Sequence, residues 1–160
     1  MTNSEALLAS LLAENAIRRL LSGYCDAVSR HDVEAARPLF APSCRVQIAD
    51  MPERVGIEAI IAGLERVFST FSFLHQRCDA NLIEVAGSGA RARVSVFEAN
   101  RRIGEDALSL IFGSYEDEYS LLPEGWRFSR RKFTLKFRAA LSASKLQEFP
   151  DLVPAFGISV

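Results

Sequence analysis

The chain has 160 residues, of which 49% are hydrophobic and 24% are charged. This length fits one domain that can bury its own core, and the ordinary composition excludes a disordered or low-complexity chain. The formal net charge of −1 provides no field that would attract nucleic acid or an anionic membrane. We therefore expect neither as a partner.

The three cysteines, Cys25, Cys44 and Cys78, are odd in number. Their spacing fits neither a disulfide framework nor a zinc site, which favours a reducing compartment such as the cytoplasm. No basic segment precedes an apolar run near the N-terminus, and no stretch approaches the roughly 18 apolar residues of a membrane span. The sequence therefore predicts no metal, no export and no membrane insertion.

The first part of the chain predicts three helices and one strand. Apolar side chains recur every three to four residues from Leu7 to Val28, which is typical of an amphipathic helix. Ser4 can cap this helix, Asp32 can cap a second one, and Gly56 precedes a third. The predicted elements are helices over 4–28, 33–39 and 57–72 and a strand over 44–49.

The rest of the chain predicts an antiparallel meander of strands over 77–85, 90–103, 107–119 and 126–137, separated by short turns. Helices followed by strands indicate an α+β fold. The apolar alternation changes phase between Phe128 and Phe133, which predicts a bulge near 130–132. We assign 1–145 to one domain and 146–160 to an apolar tail, which is either a flap over the domain or an arm onto a partner.

Four stretches of the chain resemble the SnoaL-like group of the nuclear-transport-factor-2-like superfamily. They occur in the same order between about residues 13 and 140, and they read AIRRLLSGYCDAVSRHDVEAARPLFAPSCRV, GIEAI, FLHQRCDANLIEV and DEYSLLPEGWRFSRRKF. The resemblance implies a cone-like α+β barrel, with three N-terminal helices packed on a curved, mainly antiparallel sheet. It also implies a small-molecule pocket like those of scytalone dehydratase, hexachlorocyclohexane dehydrochlorinase, ketosteroid isomerases and polyketide cyclases.

The resemblance assigns His75 as the catalytic base, because it falls on the histidine position of the dehydratase and dehydrochlorinase. A neutral imidazole can accept a proton at neutral pH. The aspartate that orients this histidine would fall at about position 29, where the chain has Ser29. Tyr24 and Arg131 match pocket positions of relatives and are assigned to substrate binding. The alternative for His75 is a half-buried side chain that closes the strand.

Three further polar residues are candidates for substrate binding. Glu98 and Asn100 continue the face of a strand whose earlier residues are apolar, as expected at the mouth of a pocket or where a strand emerges into solvent. Asp117 is either a partner for His75 or Arg131, or an exposed hairpin charge.

The remaining charged residues predict no separate site. His31, the second histidine, follows the first helix and is interpreted as a surface or hinge residue. The basic residues of the last strand lie beside the acidic run 116–118, so cross-strand ion pairs account for them better than nucleic-acid binding does.

Two functional hypotheses follow. The first is a lyase, dehydratase or isomerase that needs no cofactor and uses His75 on a small apolar cyclic or polyketide-like substrate, with Tyr24 and Arg131 polarising a substrate oxygen. The second is a non-catalytic ligand-binding or assembly module, similar to the small subunit of a ring-hydroxylating oxygenase. Phe97 shares the outer face of the predicted sheet with Arg91 and Arg93. This face could pair with a second copy, so we expect a homodimer.

Overall fold

The structure, a computed structural model, describes residues 2–142. The predicted tail over 146–160 and the domain boundary at 145 lie outside these residues. The helices are α1 (Asn3–Ser29), α2 (Val33–Ala36), which continues into a 3-10 turn (Arg37–Leu39), and α3 (Ile57–Phe68). The strands are β1 (Phe40–Ile48), β2 (Arg54–Val55), β3 (Phe71–Ala86), β4 (Gly89–Arg102), β5 (Ala107–Leu122) and β6 (Gly125–Ser142).

The six strands form one curved sheet in the order β2-β1-β6-β5-β4-β3. Strands β3 to β6 are the predicted antiparallel meander, and β1 joins it by running parallel to β6. The predicted α+β fold, with three helices on a mainly antiparallel sheet, is therefore confirmed. The sheet is not closed, since β2 and β3 are its two edges.

The long helix α1 covers the concave face of the sheet. It begins at Asn3, two residues earlier than a cap at Ser4 would allow, because Thr2 forms a capping box in which its hydroxyl accepts a hydrogen bond from the Glu5 N–H at 3.2 Å. The apolar stripe of α1, which includes Ile17, Leu21 and Val28, is buried against the sheet. Burial of this stripe, rather than helix propensity, holds α1 in place.

The helix α3 ends at Phe68, four residues earlier than predicted. The hydroxyls of Ser69 and Thr70 both donate to the carbonyl oxygen of Arg66, which turns the chain away from the helical path. Strand β3 consequently starts at Phe71, and the first part of the FLHQRCD stretch becomes part of the sheet.

The predicted bulge in the last strand exists at Ser129, one residue before the predicted range. Glu118 pairs with Arg130 while Tyr119 pairs with Phe128, which leaves Ser129 without an opposite residue. The extra residue brings Phe128 and Arg131 to the same inner face of the sheet, where both are buried.

A second bulge in β6 was not predicted. Gly113 pairs with Leu135 but Phe112 pairs with Phe137, so Lys136 is the extra residue. Phe137 therefore lies on the outer face beside Phe112, with the ring centroids 5.9 Å apart.

Gly113 provides the space for the ring of Phe133. A Cβ built on Gly113 would lie 2.4 Å from Cε2 of Phe133 and 2.7 Å from the carbonyl oxygen of Thr134. We expect Gly113→Ala to lower the free energy of unfolding by about 1–3 kcal/mol through overpacking, measured by urea denaturation. Ser114→Ala, at the next residue of the same strand, is the control and should change it little. Equal stability of the two variants would show that the ring of Phe133 does not need this space.

Candidate functional site

A cavity of about 200 Å³ lies between α1, α3 and the concave face of the sheet. Most of its wall is apolar, and its polar lining residues are Tyr24, Arg54, Gln76, Glu98 and Tyr115. The apolar part of the wall includes Val28, Ile60, Leu64, Val67, Leu74 and Phe133. An apolar cavity with a few convergent polar groups is the usual form of a small-molecule site.

The structure brings Gln76, and not His75, into this cavity. Gln76 is only 6% exposed, whereas the His75 side chain is exposed on the opposite, outer face of β3. A bulge between Ala80 and Leu82 changes the alternation of β3. Ile83, after the bulge, faces the core. In a strand without the bulge, every second residue before Ile83 would also face the core, and residue 75 would be one of them. A catalytic base has to reach the cavity, and the His75 side chain lies on the other face of the sheet.

The residue facing Gln76 from α1 is Ser29. Its hydroxyl oxygen accepts a hydrogen bond from the backbone N–H of Gln76 at 3.1 Å. The helix position expected for an aspartate thus contacts the residue after His75 and not His75 itself. Since a hydroxyl and a carboxamide do not accept a proton at neutral pH, Ser29 and Gln76 hold the helix against the sheet without forming an acid–base dyad.

Glu98 and Asn100 both lie on the inner face of β4, after the buried Ala92, Val94 and Val96. Glu98 lines the cavity, and each of its carboxylate oxygens accepts one amide hydrogen bond. Gln76 Nε2 donates to Oε2 at 2.8 Å, and Asn100 Nδ2 donates to Oε1 at 2.6 Å. Asn100 itself is 3% exposed, so we assign it to holding Glu98 rather than to contacting a ligand.

Asp117 is buried, so its interpretation as an exposed hairpin charge is wrong. Arg131 donates to it through two parallel hydrogen bonds, Nε to Oδ1 at 2.9 Å and Nη2 to Oδ2 at 3.0 Å. The Tyr119 hydroxyl adds a third, at 3.2 Å. Burial raises the pKa of the Asp117 carboxyl, and the charge of Arg131 opposes that rise. The partner role of Asp117 towards Arg131 is thus a structural ion pair.

The guanidinium of Arg131 lies directly behind two tyrosines of the cavity. Its Cζ atom is 4.2 Å from the centroid of the Tyr24 ring, 3.9 Å from that of Tyr115 and 4.1 Å from that of Phe128. Among the described residues, Nη1 of Arg131 has no hydrogen-bond partner. Arg131 is therefore a buried cation that supports the cavity wall through cation–π contacts.

The hydroxyls of Tyr24 and Tyr115 are protonated donors at neutral pH. Burial raises the pKa of Tyr24 to about 12, although the charge of Arg131 and a hydrogen bond with Tyr115 lower it in part. Burial also raises the pKa of Tyr115 well above its usual value. The predicted pocket position of Tyr24 agrees with this geometry, and Tyr115 is a residue that the sequence analysis did not select.

The other candidate residues lie away from the cavity chemistry. His31 has a left-handed backbone (φ 55°) between α1 and α2, and its ring stacks on Phe68 with centroids 5.0 Å apart. Residues 2–142 contain no cluster of three or more His, Cys, Asp or Glu side chains that could hold a metal ion. Within the same residues, no helix is both long and apolar enough to cross a membrane.

We expect Asp117→Asn to destabilise the fold, because it leaves the charge of Arg131 buried without a counter-ion. Breaking one partner of a buried ion pair costs about 3–5 kcal/mol, which urea denaturation would detect. Glu116→Gln, at the exposed neighbouring position, should change stability by less than about 0.5 kcal/mol. An unchanged unfolding midpoint for Asp117→Asn would contradict a structural role for the pair.

Helices over a curved sheet, with a cavity between them, define a class of small-molecule-pocket proteins. The chain belongs to the SnoaL-like domain family, whose model matches residues 9–132. The resemblance seen in the sequence is thereby confirmed. No curated protein matches the chain in sequence.

Solved structures share the fold at low sequence identity. A protein described as "Putative Scytalone Dehydratase" from Novosphingobium aromaticivorans is 21% identical over 87% of this chain and 97% of its own, with a TM-score of 0.77. The hexachlorocyclohexane dehydrochlorinase LinA-type3 from Novosphingobium barchaimii is 16% identical over 89% of this chain and 98% of its own, with a TM-score of 0.78. At these identities the similarity establishes the fold alone.

Proposed function

We propose that the chain is a lyase or isomerase that moves a proton within a small, largely apolar, cyclic or polyketide-like molecule and needs no cofactor to do so. The observation that carries the proposal is an apolar cavity of about 200 Å³ that contains a carboxylate and two tyrosine hydroxyls. Two of the solved structures with this fold are described as a dehydratase and a dehydrochlorinase, which are lyase-type names.

The chemistry of the wall supports this reaction class. Apolar side chains exclude water from the cavity and lower the local dielectric constant. A hydrogen bond from a wall residue to a substrate oxygen is therefore stronger there than in water. The hydroxyls of Tyr24 and Tyr115 are protonated donors, which is the requirement for stabilising negative charge that develops on an oxygen. Arg131 packs behind both rings and is paired with Asp117, so it holds the two tyrosines in position.

The proposal predicts a measurable activity on a simple ketone. We choose 1-tetralone, an apolar two-ring ketone with exchangeable α-protons at one carbon only. The protein should bind it and accelerate replacement of these protons by deuterium in D₂O, followed by proton NMR. Leu64→Trp fills the cavity from α3 and should abolish both effects. Val55→Trp, at an exposed residue, is the matched control. Unchanged exchange in the Leu64→Trp variant would contradict the assignment of this cavity.

An assembly role is a second candidate function, and the outer face of the sheet favours it. The rings of Phe97, Phe112 and Phe137 form a continuous row across three strands, with centroid separations of 5.1 and 5.9 Å. The charged end of this face carries Arg91 and Arg93 on β4 and the exposed glutamates 116 and 118 on β5. Two-fold pairing would set the arginines of one copy against the glutamates of the other.

We therefore predict a homodimer formed through this face. Phe112→Glu places a charge in the middle of the aromatic row and should convert the dimer into a monomer, as measured by size-exclusion chromatography with light scattering. Val55→Glu, at an exposed residue of β2, should leave the mass unchanged. A wild-type monomer at micromolar concentration would refute the homodimer.

The state of the three cysteines indicates the cellular compartment of the protein. Cys25, Cys44 and Cys78 are all free thiols, and Cys25 and Cys78 contact each other without a disulfide. Free thiols favour a reducing environment, so we propose the cytoplasm as the site of function.

A further inference from the structure

We infer that Glu98 is the catalytic base and that the substrate presents a polarised oxygen, of the ketone or enone kind, next to an acidic C–H bond. This inference rests on the proposed function, since it names the base and the substrate class of the same cavity. It also replaces the histidine that the sequence analysis assigned to this role.

The position of Glu98 is the first argument. It follows three buried residues on the inner face of β4, Ala92, Val94 and Val96, and is itself half-buried in the cavity wall. Its opposite residue on β3 is Gln76, and its opposite residue on β5 is Ile111, both of which also line the cavity. The carboxylate is therefore enclosed by the walls of the site on both neighbouring strands.

The hydrogen bonds of Glu98 are the second argument. Gln76 and Asn100 each donate one amide hydrogen bond to it, one per oxygen. A carboxylate offers about four acceptor positions, so two remain for a substrate proton. Because amides are neutral, they orient the carboxylate without cancelling its charge.

The contrast with Asp117 sharpens this point. Both carboxylates lie on the inner face of the sheet, but Asp117 is held by two hydrogen bonds from a cation. Among residues 2–142, the ion pairs do not include Glu98. Asp117 therefore serves as the counter-ion of Arg131, whereas Glu98 is bound by two neutral amides and by no cation.

The groups facing Glu98 are the third argument. Tyr24 and Tyr115 line the same cavity, and the negative charge of Glu98 is one of the causes that raise the pKa of Tyr115. The carboxylate and the Tyr115 hydroxyl are thus within electrostatic reach of each other. Enolisation requires a base and a protonated hydroxyl donor in one cavity, and this cavity is lined by both kinds of group.

The reaction step balances without a further reactant. The α-C–H bond breaks, the proton passes to a carboxylate oxygen of Glu98, and the electron pair moves into the C–C–O system to form an enolate. The Tyr24 hydroxyl donates a hydrogen bond to the enolate oxygen, and it is itself supported by the hydrogen bond that it receives from Tyr115. Protonated Glu98 then returns the proton to the same carbon or to a conjugated one. In a lyase reaction, the electron pair instead expels a leaving group from the neighbouring carbon.

The decisive experiment compares Glu98→Gln with wild type, with 1-tetralone as the probe. Binding is followed by calorimetry, and α-proton exchange in D₂O is followed by NMR. Removing a general base costs about 100-fold or more in rate, so Glu98→Gln should lose exchange by at least that factor and bind within about threefold of wild type. Glu98→Asp should retain part of the rate. Glu116→Gln, on the outer face of the adjacent strand, is the control.

The other possible results of this experiment would each contradict a specific part of the inference. Exchange by Glu98→Gln at the wild-type rate refutes Glu98 as the base, and loss of exchange in His75→Ala alone would return that role to the histidine. Binding without exchange by the wild-type protein overturns the base and the ketone class but leaves the cavity as a ligand site. Absence of wild-type binding overturns the proposed function and the inference with it.

Discussion

The ion pair between Arg131 and Asp117 is the interaction on which the site depends. It joins β5 to β6 directly beneath the cavity, and it is enclosed by rings from α1 and the sheet. A buried guanidinium is tolerated only with a counter-ion and well-made hydrogen bonds, so the pair fixes the inner faces of both strands. Tyr24 and Tyr115 pack on the same cation, and their hydroxyls are held at the cavity wall as a result.

The same sheet face carries two carboxylates with opposite electrostatic situations. Asp117 is neutralised by a cation and contributes to stability, whereas Glu98 is held by the neutral amides of Gln76 and Asn100 and stays available to a ligand. Environment, rather than residue type, separates a structural carboxylate from a reactive one. The separation follows from strand position, because Asp117 is paired with Arg131 behind Tyr24 and Tyr115, while Glu98 lies at the cavity.

The contact between Ser29 and Gln76 shows how one fold accommodates different site chemistry. The helix position that the resemblance assigns to an aspartate, Ser29, meets the residue after His75, because its hydroxyl accepts a hydrogen bond of 3.1 Å from the backbone N–H of Gln76. Neither the hydroxyl of Ser29 nor the carboxamide of Gln76 accepts a proton at neutral pH. Family membership therefore establishes the architecture and the cavity, and the reactive group has to be identified from the residues of this chain.

The sequence by itself determined the α+β class, the three helices, the four-stranded meander and the bulge in the last strand, because apolar periodicity and turn residues are local signals. Period-2 alternation also placed Glu98 on the same strand face as Ala92, Val94 and Val96, which are buried in the structure. Only the tertiary structure decided the phase of β3, since the bulge between Ala80 and Leu82 leaves no sequence signature. The burial of Asp117 likewise depended on its pairing with Arg131 on the neighbouring strand. Such a pairing is non-local, so the alternation of residues within one strand does not predict it.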